Sequence, residues 1–154
     1  MIVSLYRKVP VTMAPSPVSG GERAMLDEAD AVRVHELRQT VGQELARRGI
    51  DENVRFTVQL VVDELVTNSL QHQGSESLTL AVLVQSTGVR VVVKGGTPLP
   101  RAVWGVQPTA MWAEHGRGLL LATELSSARG LTPDCMGVWC VVPFDNADHL
   151  GGAG

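Results

Sequence analysis

The fold is decided by the stretch Leu60-Val61-Val62-Asp63-Glu64-Leu65-Val66-Thr67-Asn68-Ser69-Leu70-Gln71-His72. At about 100° per residue, its apolar side chains gather on one side, which predicts a helix packed on a core. Glu64, Asn68 and His72 are spaced four apart and form a row on another side. Glutamate can accept a proton, and an asparagine oxygen one turn away suits Mg²⁺. The row by itself also fits an ordinary solvated helix face, so the rest of the chain has to decide.

Two later stretches make a ligand site the better interpretation. Val91-Val92-Val93-Lys94-Gly95-Gly96-Thr97-Pro98 is typical of a strand that breaks into a glycine–proline turn. His115-Gly116-Arg117-Gly118-Leu119-Leu120-Leu121-Ala122 places a glycine pair before an apolar helix. Backbone N–H groups at such a helix start can receive phosphate oxygens, because glycine lets the backbone come close. Arg117 could add a charge-assisted contact.

Composition describes one globular domain. The chain has 154 residues, 44% of them hydrophobic and 19% charged, with a net charge of −3. The net charge gives no reason to expect nucleic-acid binding, and the sequence has no basic patch with interleaved aromatic residues. No apolar run reaches membrane-spanning length and no signal peptide is visible, so we expect a cytoplasmic protein that does not enter a membrane. Cys135 and Cys140 are expected to be free thiols.

Hydrophobic periodicity predicts the order of the elements. Residues 1–9 alternate weakly, as in an edge strand, and residues 30–48 form an amphipathic helix that Gly49 caps. Asp51, Glu52 and Asn53 supply the N-cap of the central helix. Residues 78–84 and 89–94 alternate as two strands joined by the Ser86-Thr87-Gly88 turn, and therefore predict a hairpin. A helix over 118–126 and a last strand over 138–142 follow.

These elements predict an α+β fold. We expect a two-layer sandwich with a mixed, mostly antiparallel sheet and helices on one face. Residues 1–21 form an N-terminal strand and a Pro/Gly-rich arm, residues 22–143 the domain itself, and residues 144–154 a disordered tail.

The order of these motifs resembles a known family. Glu64-Leu65-Val66-Thr67-Asn68, the strand with its glycine turn, Gly116-Arg117-Gly118-Leu119 and the strand Gly137-Val138-Trp139-Cys140 together resemble the anti-sigma-factor serine kinase-like ATPases. These are small members of the histidine kinase-like ATPase superfamily, which has the Bergerat or GHKL fold. The resemblance covers roughly residues 20 to 143 and implies the same two-layer fold, with ATP held between the central helix and the loop after the hairpin.

The resemblance also implies roles for individual residues. Glu64 would be the catalytic base and Asn68 the Mg²⁺ ligand. His72, Gly95, Gly116, Arg117, Gly118 and Leu119 would complete the ATP site. His72 is equally explained as a helix-end histidine favoured by the helix dipole. Residues 97–114 would form the lid, where Trp104 and Trp112 either pack locally or present an apolar surface to a partner.

One position departs from the family pattern. The family has an aspartate at the end of the second hairpin strand, where it accepts a hydrogen bond from the adenine amino group. Alignment on Pro98 places Gly95 there. Glycine has no side-chain acceptor, which should weaken binding of the base by roughly 1–3 kcal/mol. Lys94, just before it, could face either solvent or a phosphate.

The resemblance therefore implies a regulatory ATP-binding protein. It would phosphorylate a serine or threonine of an anti-anti-sigma partner and bind a sigma factor, with homodimerisation left open. A second hypothesis is a nucleotide-independent binding module on the same fold. A third is a catalytic domain that acts on a separate histidine-bearing protein. His35-Glu36-Leu37-Arg38 looks like a phosphoacceptor box, but there is no room for a dimerisation helix before Glu64. His35 is therefore read as a surface histidine.

Overall fold

A computed structural model of the chain describes residues 2–6, 28–72, 77–96, 98–99 and 122–144. For residues 2–6, 71 and 72 it describes the backbone alone. In these ranges the chain forms two long helices and a five-stranded sheet. Residues 7–27 and 145–154 lie outside the described part, so the arm and the tail stay predictions.

The first helix, α1, spans Glu28–Arg47 and buries a single stripe of side chains. Val34, Leu37, Val41 and Leu45 recur every three or four residues and are all buried, which is the spacing of one helical face. Gly49 ends the helix with φ 75°, a left-handed conformation that glycine adopts at no steric cost. The Ile50 N–H donates to Leu45 O at 3.0 Å and the Gly49 N–H to Ala46 O at 3.0 Å. These two bonds form a Schellman cap, so the predicted end of the helix is confirmed.

The second helix, α2, spans Glu52–His72 and is the central helix of the domain. The Asp51 carboxylate accepts a hydrogen bond from the Asn53 N–H at 3.0 Å, and Asp51 O accepts one from the Arg55 N–H at 2.9 Å. Asp51 is therefore the predicted N-cap. α2 packs on α1 and on three strands of the sheet. Its buried side chains are Val54, Val58, Val61, Val62, Leu65, Val66, Ser69 and Leu70.

The sheet contains five strands in the order β1-β2-β3-β5-β4. Their bounds are β1 Ile2–Tyr6, β2 Ser77–Val84, β3 Gly88–Lys94, β4 Ala128–Leu131 and β5 Gly137–Pro143. Every pairing between these five strands is antiparallel. The predicted hairpin is β2–β3, and the predicted edge and last strands are β1 and β5. The α+β two-layer fold is confirmed, and the described sheet contains no parallel pair.

One strand was not predicted. β4 has only four residues, and its sequence Ala128-Arg129-Gly130-Leu131 shows no alternation of apolar and polar side chains. It forms because β5 lies beside it and pairs with it along its whole length. Propensity is a weak guide for such a strand, since the sheet provides most of its stability.

The two faces of the sheet differ. On β3, Val89, Val91 and Val93 are buried and join the core formed with α1 and α2. Arg90 and Lys94 alternate with them and therefore lie on the opposite face. Burial of each core side chain stabilises the fold by about 1.5–3 kcal/mol. This core holds α2 against the helix-side face of the sheet and so sets the position of the Glu64 row.

Candidate functional site

The candidate site begins with one side of α2. Thr57, Glu64 and Asn68 are seven and four residues apart, so they share one stripe of the helix, and all three are half-buried. The other side of α2 faces α1. There, Gln59 Nε2 donates to Arg38 O at 3.0 Å, and Asp63 forms an ion pair with Arg38 at 3.8 Å. α1 therefore covers the side of α2 that lies away from Glu64 and Asn68.

A second helical segment, residues 122–125, lies beside the side of α2 that carries Thr57. A cavity of about 240 Å³ is lined by Thr57 and its neighbours on α2, by Glu124 and Leu125, and by the end of β5. Residues 122–125 are helical and Ala122 is fully buried. The predicted helix over 118–126 is thus confirmed at residues 122–125, and residue 126 lies beyond its end. It lies beside the first two turns of α2, on the side that carries Glu64 and Asn68.

Four of the predicted phosphate-binding residues lie outside the described part of the chain. They are Gly116, Arg117, Gly118 and Leu119, and they end three positions before Ala122. Glu124 and Leu125, which follow them in the chain, lie beside Thr57 on α2, and the phosphate site itself stays a prediction. His72 is the last residue of α2, with its side chain outside the described part, and Trp104 and Trp112 lie outside it as well.

Asn68 has the feature expected of a ligand-binding side chain. Its Nδ2 atom is buried, and within the described residues it has no hydrogen-bond partner. An unpaired buried donor costs roughly 1–3 kcal/mol, which a ligand would offset. A half-turn of the carboxamide exchanges its nitrogen and oxygen, so Asn68 can offer an N–H to a phosphate or an oxygen to Mg²⁺. Because Mg²⁺ commonly takes only one or two protein oxygens along with phosphates and water, Asn68 fits a nucleotide-bound Mg²⁺.

Gly95 lies directly after β3, and a backbone hydrogen bond fixes its position. Its N–H donates to Met136 O at 3.0 Å, and it is half-buried. A second backbone bond joins the Leu99 N–H to Cys135 O at 2.7 Å. The turn between β4 and β5 therefore fastens the chain on both sides of residues 96–98, where the family's adenine-binding motif would lie.

The turn between β4 and β5 was not predicted from the sequence. Thr132 donates its hydroxyl to the Asp134 carboxylate at 2.6 Å, and the Met136 N–H donates to the same carboxylate at 3.0 Å. Cys135 has φ 59°, a left-handed conformation that is uncommon for residues other than glycine. The local signal was present in Thr132-Pro133-Asp134, since proline and aspartate are typical turn residues.

Lys94 forms an ion pair with Asp134 on the sheet face opposite α2. Of the two alternatives that the sequence left open, a phosphate contact is disfavoured, because Asn68 lies on the other side of the sheet. The hydrogen bond from Lys94, followed by those from Thr132 and the Met136 N–H, holds the pKa of Asp134 well below its ordinary value. Lys94 therefore has a structural role at the turn.

Both cysteines are free, as predicted. Cys140 lies in the core, where burial raises the pKa of its thiol to about 12. Since the thiolate is the reactive form, Cys140 is inert at neutral pH.

The family is decided by a match over most of the chain. The family described as histidine kinase-like ATPase domain matches residues 28–140, from the start of α1 into β5. This chain is a histidine kinase-like ATPase domain. The matched span of the histidine kinase-like ATPase domain includes Glu64, Asn68, Gly95 and residues 116–119. Membership indicates a regulatory ATP-binding function and, in general, the use of nucleotide with Mg²⁺.

No curated protein matches the chain. Within the residues that the structure describes, the helices are too short or too polar to cross a membrane.

Proposed function

We propose that this histidine kinase-like ATPase domain is an ATP-dependent protein serine/threonine kinase that resembles the anti-sigma-factor kinases. It would phosphorylate an anti-anti-sigma partner, bind a sigma factor and act in the cytoplasm. The observation that carries this proposal is the buried Asn68 Nδ2, which has no partner in the described residues and lies one turn from Glu64. The order of the motifs supports the narrower assignment to anti-sigma kinases.

The two side chains would divide the chemistry. Asn68 would hold the Mg²⁺ that accompanies the nucleotide phosphates. Glu64 would orient the partner's hydroxyl and take its proton while the hydroxyl oxygen bonds to the γ-phosphorus and the bond to the β-phosphate oxygen breaks. When bound, MgATP supplies the phosphoryl group, and ADP leaves. Phosphoryl transfer depends mainly on positioning and charge neutralisation, and a pair of side chains fixed on one helix can contribute to both.

The first test is MgATP binding, measured by isothermal titration calorimetry. The unmodified chain should release or absorb heat with one-site saturation, and Asn68→Ala should bind at least about tenfold more weakly. Asp63→Asn is the matched control, since Asp63 lies on α1's side of the same helix and should not alter affinity. Absence of binding to the unmodified chain would remove the kinase proposal.

The second test separates binding from chemistry. Glu64→Gln should keep MgATP affinity within a few-fold but abolish transfer of labelled phosphate to a serine-bearing partner. Phosphoamino-acid analysis of that partner should show phosphoserine or phosphothreonine. Acid-labile phosphohistidine would instead support a catalytic domain that acts on a separate histidine-bearing protein.

A nucleotide-independent binding module is the second candidate, because Gly95 stands where the family places its adenine-binding aspartate. Under this alternative, Glu64→Gln and Asn68→Ala would regulate the partner as well as the unmodified chain does. The kinase proposal predicts that both variants lose regulation that depends on phosphorylation. Homodimerisation is a separate proposal that rests on the resemblance, and light scattering of the purified chain tests it.

A further inference from the structure

A groove of about 550 Å³ lies between α1 and the first two turns of α2. It is on the side of α2 that faces α1, away from Glu64 and Asn68. The side chains that matter here are Gln39, Gln43 and Ala46 from α1 and Arg55, Phe56 and Gln59 from α2. None of the roles discussed for the ATP site uses this groove.

Arg55 is the unusual side chain in the groove. Its Nε atom is buried and has no hydrogen-bond partner, a condition that within the described residues only Asn68 Nδ2 shares. A guanidinium has N–H donors and no acceptor atom, so its partner has to be an acceptor. A carboxylate matches it best, since its two oxygens accept from the guanidinium in parallel.

The neighbouring acidic residue does not provide that partner. Glu52 lines the same groove three positions before Arg55 and is exposed. The ion pairs of the described residues include none between Glu52 and Arg55. Within the described residues, the Arg55 guanidinium therefore has no carboxylate partner.

The rest of the lining points to a polypeptide. Phe56 is 55% exposed and offers an apolar contact next to Arg55. Gln39 and Gln43 are exposed amides that can both donate to and accept from a peptide main chain. Nucleic acid would need several cations along the groove, whereas Arg55 is the only cationic side chain among the described residues that line it.

We propose that this groove docks an acidic segment of a partner protein, with a carboxylate on the Arg55 guanidinium and an adjacent apolar side chain on Phe56. The geometry joins a half-buried arginine whose Nε atom lacks a hydrogen-bond partner, an exposed ring and a row of amides in one concave surface. Docking here does not depend on nucleotide binding, because the groove shares neither Glu64 nor Asn68 with the ATP site.

A library of short random peptides displayed on phage is the probe. Selection on the unmodified chain should enrich peptides in which aspartate or glutamate adjoins an apolar residue. Synthetic versions of these peptides should shift the NMR signal of the Arg55 Nε–H group. Arg55→Gln should weaken them about tenfold or more. Ala46→Glu, which places a negative charge at an exposed position in the groove, should weaken them similarly.

Two controls test for nonspecific charge attraction and for loss of folding. Arg129→Gln, at an exposed arginine on β4, should leave peptide affinity unchanged. Circular dichroism of each variant confirms that it is folded. The proposal is overturned if no peptides are enriched, if those enriched lack acidic residues, or if they bind Arg55→Gln as tightly as the unmodified chain. Equal loss in Arg129→Gln would also overturn it, since attraction would then be nonspecific. The proposal is also overturned if acetate or inorganic phosphate shifts the NMR signal of the Arg55 Nε–H group with an affinity equal to that of the peptide.

Discussion

Lys94 Nζ lies 2.5 Å from the Asp134 carboxylate and joins the end of β3 to the turn between β4 and β5. The turn in turn holds Gly95 through Met136 O. From the sequence, Lys94 could face either solvent or a phosphate. In the structure it supports the loop where the adenine-binding motif would lie.

Stability should depend on this carboxylate in acid. The pKa of Asp134 is lower in the folded state than its unfolded value of about 4. Its stabilisation is therefore fully present above that value and is lost as the pH falls toward the folded pKa. Urea unfolding between neutral pH and about pH 2 should show that the stability difference between the unmodified chain and Asp134→Asn shrinks in acid. Lys94→Met should reduce the same pH dependence only in part, because Thr132 and Met136 still bond to the carboxylate. Parallel curves for Asp134→Asn and the unmodified chain down to the lowest pH would contradict the assignment.

Gly95→Asp should improve ATP binding. The backbone at Gly95 is not left-handed, so it accepts an aspartate without strain of that kind. A restored acceptor for the adenine amino group should raise MgATP affinity by about ten- to a hundredfold. Calorimetry with MgATP and MgGTP should show a gain for ATP alone, because guanine has no amino group at the equivalent ring position. Gly96→Asp is the matched control. Equal gains for both nucleotides, or none for either, would show that residue 95 does not face the base.

Asp51→Ala should destabilise the helix that carries the candidate site. Removal of the N-cap leaves the Asn53 N–H without its acceptor, and such changes cost about 0.5–2 kcal/mol of the free energy of unfolding. Urea unfolding followed by circular dichroism measures the loss. Asp51→Ser keeps a capping oxygen and should recover most of the stability. If serine and alanine are equally destabilising, the cap is not the cause.

Gly130→Ala should disturb Trp139. A Cβ atom at residue 130 would lie 2.9 Å from both Cζ2 and Nε1 of the indole, closer than packing allows. The ring cannot move freely, since Nε1–H donates to Leu131 O at 3.1 Å and the Arg90 guanidinium lies 4.5 Å from the ring centroid.

The expected cost of that substitution is about 1–3 kcal/mol, the usual range for overpacking. Urea unfolding measures it, and hydrogen exchange of the Trp139 indole N–H should become faster. Ala128→Ser, at an exposed position of the same strand, should stay within about 0.5 kcal/mol. A neutral Gly130→Ala would mean that the indole has another place to pack.

Several features of this domain were predictable because they are local. The stripe Val34, Leu37, Val41 and Leu45 predicted α1, and Gly49 and Asp51 marked where one helix ends and the next begins. The Glu64–Asn68 spacing placed both side chains on one side of α2. Each of these inferences needs only the geometry of a helix and residues a few positions apart.

The sequence by itself thus determined the two helices, the β2–β3 hairpin and the position of Glu64 and Asn68 on one side of α2, since periodicity and capping act between near neighbours. Only the tertiary structure decided that β5 lies between β3 and β4, that Lys94 pairs with Asp134 across 40 positions, and that the Nε atom of the half-buried Arg55 has no hydrogen-bond partner. The physical reason is that strand order, ion pairs across the sheet and burial depend on contacts between distant residues. A short strand such as β4 has no pattern of its own and forms only because a neighbour pairs with it.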